Sequence, residues 1–167
     1  MARLDAGDVA CWLFKTARPA GEAAPGWRPG TERTLPRCVR RSYRLDLVRP
    51  GAPCLLWRSG PDRPGVWAIG TVAAEPAEAD GGPVIAVRLT LLDAPIARAE
   101  LLADSRFRDA EVVRMAAGSN PSWLSAAQYA AVLDRLAGAA PSGGAAAPGT
   151  MVGCAATGSG GERSAGS

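Results

Sequence analysis

Residues 53–76 constrain the fold most. PCLLWRS (53–59) and VWAIGTVAAEP (66–76) are short apolar runs, and GPDRPG between them is a turn. Two such runs joined by a Gly- and Pro-rich bend read as a β-hairpin. By the period of two, Leu55, Trp57 and Ser59 share one side of the first strand, and Trp67 lies across the turn. Rings beside a bend can be plain core, or they can wall a slot for something flat.

The remaining elements are arranged around this hairpin. VACWLFK (9–15), bulky and apolar, predicts a central strand. ARPAGEAAPGWRPGTERTLP (17–36) carries Pro and Gly repeatedly and reads as loop. RCVRRSYRLDLV (37–48) is dense in arginine, and its second half can turn once or twice as a helix before Pro50-Gly51. Residues 77–83 read as a turn, PVIAVRLTLLD (83–93) as a long strand, and IARAELLAD as a short helix with Pro95 in its first turn. EVVRM (111–115) reads as a last strand.

The clearest helix comes next. Ser125 and Gln128 have the spacing of a capping box, and Leu124 and Tyr129 that of a hydrophobic staple. Tyr129, Val132, Leu133 and Leu136 then form one apolar face, with Asp134 and Arg135 outward and a stop at Gly138. Residues 138–167 are low in complexity and lack the bulky side chains that offset ordering entropy, so they are expected to be a disordered tail. The folded part is expected at 8–137. It suits an α+β domain, a mixed barrel of about five strands with short helices.

Composition limits the chemistry. Apolar residues make up 47%, but many are alanine, so Leu, Val, Ile and the five tryptophans must supply the core. The chain has no histidine, which excludes Ser-His-Asp and Cys-His catalysis. A carboxylate or lysine mechanism survives on paper, yet no paired acids sit in a suggestive setting. No enzymatic activity is expected. Cysteines 11, 38, 54 and 154 show no CxxC spacing, so neither a metal nor another cofactor is expected. Cys11 and Cys54 read as buried thiols of a reducing compartment. With no signal segment and no run of about 18 apolar residues, the expectation is a cytoplasmic protein without a membrane partner. The net charge of +3 fits an anionic partner without demanding one. Every cationic side chain but Lys15 is arginine, which a GC-rich genome would explain and which also suits phosphate.

Four stretches could carry function. In WLFKT (12–16), Lys15 is either a solvated strand end or a donor to a base edge or phosphate. In RCVRRSYR, Arg37, Arg40, Arg41 and Arg44 form either a solvated face or a phosphate track. Beside Trp57, the small Ser59-Gly60 pair lets a planar ligand approach the backbone. In GSNPSW (118–123), Asn120-Pro121 is a turn former whose amide can also read a base edge.

Taken in order, WLFKT, RCVRRSYRLDLVRPGAP, LLWRSG, GVWAIGTV, LLDAPI and GSNPSWLSAAQ resemble the EVE domain family of the PUA-like superfamily, related to the YTH domain. The resemblance covers about 9–137. It implies a PUA-like mixed β-barrel of five to six strands flanked by short helices, and binding of a modified nucleobase in DNA or RNA through an aromatic-lined pocket. Carried onto this chain, the pocket would use Lys15, Thr16, Val39, Arg41, Trp57, Ser59, Gly60, Asn120 and Pro121. Arg37, Arg40 and Arg44 would form the phosphate track. Where many members of the family carry a tryptophan at the start of the basic segment, this chain has Arg37, and Trp27 is a candidate to stand in for it. A small-molecule sensor with the same pocket, and an accessory domain of a nucleic-acid-acting enzyme, are the rival readings.

Overall fold

The expected hairpin forms from β3 (Pro53–Arg58) and β4 (Gly65–Val72), with a register shift between Leu56 and Trp57. The computed structural model describes residues 2–118 and 120–139. Within them lie β1 (Cys11–Thr16), α1 (Ala20–Ala23), β2 (Glu32–Cys38), a 3-10 turn (Tyr43–Leu47), β5 (Ala77–Ala79) and β6 (Gly82–Ala97). Then follow α2 (Arg98–Leu102), α3 (Glu111–Arg114), β7 (Ser122–Leu124) and α4 (Ala126–Ala139). The architecture is α+β. Its sheet has seven strands rather than five or six, in the order β2-β6-β4-β3-β1-β7, with β5 also on β6. β1 and β3 run parallel and the other pairs antiparallel. The hydrogen-bonded path is not closed between β2 and β7.

Both faces of the central strands are buried, which is why VACWLF and PCLLW read as continuous apolar runs instead of alternating ones. Trp12, Phe14, Cys54 and Leu56 point into one core, with Trp27, Val48, Ile85, Val87 and Leu89. Cys11, Leu13, Leu55 and Trp57 point into the other, with Val66, Leu101, Phe107, Leu124 and Val132. Trp67 packs on the first core and Trp57 belongs to the second, so the two indoles lie on opposite faces of the sheet and do not face one slot. Trp27 is itself core, with its Nε1 donating to the Thr31 carbonyl at 2.9 Å.

Several expectations need correction. The 17–36 stretch is not all loop, since it holds α1 and most of β2. β2 is an edge strand with exposed Arg33, Thr34 and Pro36, so it shows no apolar pattern, and an edge tolerates proline. EVVRM is mostly helix, not strand; one turn suffices to place Val112 in the second core. Pro95 lies inside β6, and α2 begins at Arg98. Part of the 77–83 turn is β5.

The capping box is present: Ser125 N donates to Gln128 Oε1 at 3.0 Å, and Gln128 N donates to Ser125 Oγ at 3.3 Å. Leu124 is buried, and Tyr129 and Leu136 pack on the same core, but Leu133 is 41% exposed. The tail expected from 138 lies outside the described residues apart from Gly138 and Ala139, which are helical.

At Gly70, β4 runs against β6 with no room for a side chain. A Cβ there would stand 1.8 Å from the Arg88 carbonyl oxygen. Gly70→Ala is therefore expected to destabilise the protein by about 1–3 kcal/mol, the usual cost of overpacking. Urea unfolding would measure this, and an unchanged midpoint would contradict the close approach.

Candidate nucleic-acid interface

The parallel pairing of β1 and β3 brings two predicted stretches to one end of the sheet. Lys15 lies opposite Trp57 and Thr16 opposite Arg58. Ser59 N continues the ladder by donating to the Thr16 carbonyl at 2.8 Å. The chain then bends at Gly60, whose φ of +104° favours glycine and whose missing side chain faces open space. Here lies a cleft of about 230 Å³, lined by Trp57, Ser59, Gly60, Pro64, Arg98, Val112 and Ala116.

Three of the predicted pocket residues meet in this cleft, but not as an aromatic cage. Trp57 is only 3% exposed and stacks on Phe107, with centroids 6.1 Å apart and planes 16° apart. It is the floor of the cleft. Trp67 instead carries the guanidinium groups of Arg58 and Arg63 over its ring, at 5.0 and 5.4 Å. Its Nε1 donates to the Arg63 carbonyl at 3.0 Å.

Lys15 and Asn120 hold the frame. Lys15 Nζ donates to the carbonyls of Met115, Ala116 and Gly118 at 3.2, 3.3 and 3.1 Å, clamping the loop that supplies Ala116 to the cleft. Burial pushes the Lys15 ammonium below its ordinary pKa; the Glu111 charge opposes this, and the Arg44 charge adds to it. Asn120 Oδ1 accepts from Lys15 N at 3.1 Å, and its Nδ2 donates to the Cys38 carbonyl at 3.0 Å. The Asn120 carbonyl also accepts from Arg40 N at 2.9 Å. One side chain thus ties the end of β1 to the end of β2, across the open side of the sheet. Both ends of its amide are engaged by main chain. Val39 and Pro121 are buried, and Thr16 Oγ1 accepts from Arg18 N at 3.2 Å.

The basic segment divides between inside and outside. Arg37 Nη2 donates to the Lys15 carbonyl at 3.1 Å, and its buried Nε has no partner among the described residues. Burial lowers its pKa. Arg40 is exposed, with no acid partner among the described residues. Arg41 is exposed and pairs with Glu78 at 2.7 Å. Arg44 turns inward and meets Glu111 with two hydrogen bonds, of 2.6 and 2.9 Å, where the side chains are 16% and 12% exposed. Ser122 Oγ also donates to Glu111 at 2.6 Å. Burial alone would raise the Glu111 carboxyl. The bonds from Arg44 and Ser122, with the charges of Arg44 and Lys15, outweigh it and hold the group below its ordinary pKa.

Pro64, Arg98, Val112 and Ala116 complete the cleft although no sequence motif marks them as site residues. Nothing local marks Arg98, which sits among alanines at the start of α2. Its guanidinium has no hydrogen-bond partner among the described residues, and neither has the Ser59 hydroxyl. No group of three His, Cys, Asp or Glu among the described residues is placed to hold a metal ion, and no helix among them is long and apolar enough to cross a membrane.

No family model matches this chain, and no curated protein matches its sequence. Solved structures do match. A hypothetical protein from Leishmania major superposes with a TM-score of 0.57 at 18% identity, over 78% of this chain and 96% of that one. A protein from Pseudomonas syringae superposes with a TM-score of 0.57 at 17% identity, over 75% of this chain and 99% of that one. The chain shares their fold. Its structural neighbours also include human THYN1 in complex with 5-methylcytosine containing DNA, with a TM-score of 0.48, 15% identity, and 75% and 96% of the two chains covered. At these identities the likeness is one of architecture.

Proposed function

We propose that this chain is a non-catalytic binding module that holds one unstacked, modified nucleobase of DNA or RNA in the cleft above Trp57. The observation that carries the reading is the cleft itself. A bare Gly60 backbone, a Ser59 hydroxyl and an Arg98 guanidinium, the last two unpartnered among the described residues, converge on it. Its roughly 230 Å³ falls below the ~300–1,000 Å³ of drug-sized sites and suits a single planar ring. Gly60 lets such a ring approach the main chain, and Ser59 can both donate and accept. The planar Arg98 group can stack on a base face or grip a phosphate. Extracting a base costs a few kcal/mol, and stacking returns about 1–3 kcal/mol. A methyl group buried against Pro64, Val112 or Ala116 would add about 0.8 kcal/mol.

In this reading Lys15 and Asn120 brace the loop and strand ends beside the cleft, Thr16, Val39 and Pro121 lie outside its lining, and Arg40 and Arg41 meet the strand backbone. The Arg41–Glu78 pair is exposed and therefore cheap to exchange for a phosphate. Arg37 and Arg44 contribute from inside, by holding β1, α3 and the main chain at Pro121 in place.

The test is a titration with short single strands carrying 5-methylcytosine, N6-methyladenine or no modification. Wild type should prefer one modified strand, and Ser59→Ala and Arg98→Gln should each weaken that preferred binding about tenfold, or ~1.4 kcal/mol. Equal affinity for all strands would overturn the reading. The inward turn of two of the four arginines also favours a second reading, a sensor of a free small molecule. Salt dependence separates the two, because phosphate contacts weaken steeply with ionic strength and an uncharged ligand barely responds.

A further inference from the structure

Arg98 and Pro64 border more than the base cleft. Beside it lies a second cleft of about 330 Å³, lined by Arg63, Pro64, Pro95, Ala97, Arg98, Ala99 and Glu100. The two share Pro64 and Arg98. Their common wall is fixed by main chain: Arg98 N donates to the Pro64 carbonyl at 2.8 Å. A Cβ on Gly65 would lie 2.0 Å from the Ile96 carbonyl oxygen, so the end of β6 seats directly on the hairpin turn.

We infer that this second cleft receives the nucleotide next to the bound base, on one side only, with Arg98 gripping the phosphate between them. The inference rests on the proposed base site. Three observations support it. The clefts share Arg98 as a lining residue, so one guanidinium borders both. Arg63 and Arg98 have no acid partner among the described residues, and Glu100 is the one acid among the lining residues, which leaves the lining net positive. Pro64, Pro95 and Ala97 give an apolar wall on which a sugar or base face can rest. A cationic rim beside such a wall, next to a base-sized cleft, matches a nucleotide and its linking phosphate better than a lone anion.

The backbone at Arg63 adds a means of testing this. Its φ is +49°, in the left-handed region that side chains other than glycine rarely adopt. Glycine would relieve that conformation while removing the guanidinium. The bond from Trp67 Nε1 goes to the Arg63 carbonyl, which such a variant keeps.

The experiment is calorimetric titration of the full chain with 5-methyldeoxycytidine and N6-methyldeoxyadenosine as nucleosides. The same bases are then tested in dinucleotides with the neighbour on the 5′ or the 3′ side, and in trinucleotides. A neighbour on one side should raise affinity at least tenfold, while a neighbour on the other side adds less than twofold. Arg98→Gln should reduce the salt slope of dinucleotide binding by about 0.7, the contribution of one phosphate on a single strand. Arg63→Gly should abolish the gain from the neighbour with little change in the thermal midpoint, relief of the left-handed backbone offsetting the lost contact with the Trp67 ring, and Arg33→Ala, on the far edge strand, should change neither. If a nucleoside binds and neither neighbour adds as much as twofold, the second cleft falls and the base site stands. A gain that survives Arg63→Gly intact overturns the second cleft as well. If neither nucleosides nor oligomers bind, both readings fall.

Discussion

Trp57→Ala should cost about 3–5 kcal/mol of folding stability, the usual toll for truncating a buried aromatic. The ring is 3% exposed, stacks on Phe107 and sits among Leu13, Leu55, Val66 and Leu124. For a domain whose total stability is about 5–15 kcal/mol, that loss is a large share. The variant should therefore weaken every form of binding in step with its unfolding. Ser59→Ala and Arg98→Gln remove groups from the rim of the same cleft and should leave the urea midpoint nearly unchanged while binding falls. If Trp57→Ala folded normally and lost only its preference for a modified base, the indole would be a wall and not a floor.

Glu111→Ala should be almost as damaging. It leaves the largely enclosed Arg44 guanidinium without its carboxylate; breaking a fully buried pair costs about 3–5 kcal/mol, and this part-buried one should fall at or below the lower end of that range. Replacing both partners, as Arg44→Met with Glu111→Leu, should recover part of the loss, because no charge is then left stranded although the buried Ser122 hydroxyl still lacks its acceptor. The pair also sets an acid response. The folded protein holds the Glu111 carboxyl below its ordinary 4.5, and the unfolded chain does not. The stabilisation is thus complete above 4.5 and drains away as pH falls through the lower folded value. Unfolding midpoints measured from neutral pH downward should fall along this limb, and Glu111→Gln should flatten its share of it. An identical acid limb in wild type and Glu111→Gln would remove Glu111 as the cause.

What the sequence revealed and concealed follows from where each signal resides. The hairpin and the capped helix were legible because their signals are local: a Gly- and Pro-rich bend in one, the Ser125–Gln128 spacing in the other. β2 was hidden because an edge strand needs no apolar alternation. α3 was misread because four residues are too few for helical periodicity to show, and two valines lean the reading toward strand. At the site, Trp57, Ser59 and Gly60 line one cleft because they are near neighbours in the chain at and just past the end of β3. The roles of Arg44 and Asn120 were not readable, since their partners lie 67 and 105 residues away. Arg98 reaches the cleft only because the long β6 delivers it beside the hairpin turn.

Lys15 is the single lysine in the 167 residues, and its ammonium grips three carbonyls of the loop beside the cleft. An amine-selective acylating reagent thus has one side-chain target, protected for as long as the loop stays latched. Its labelling rate would time the unlatching directly, and a guest pressing on Ala116 would register as a change in that clock without any probe placed in the cleft.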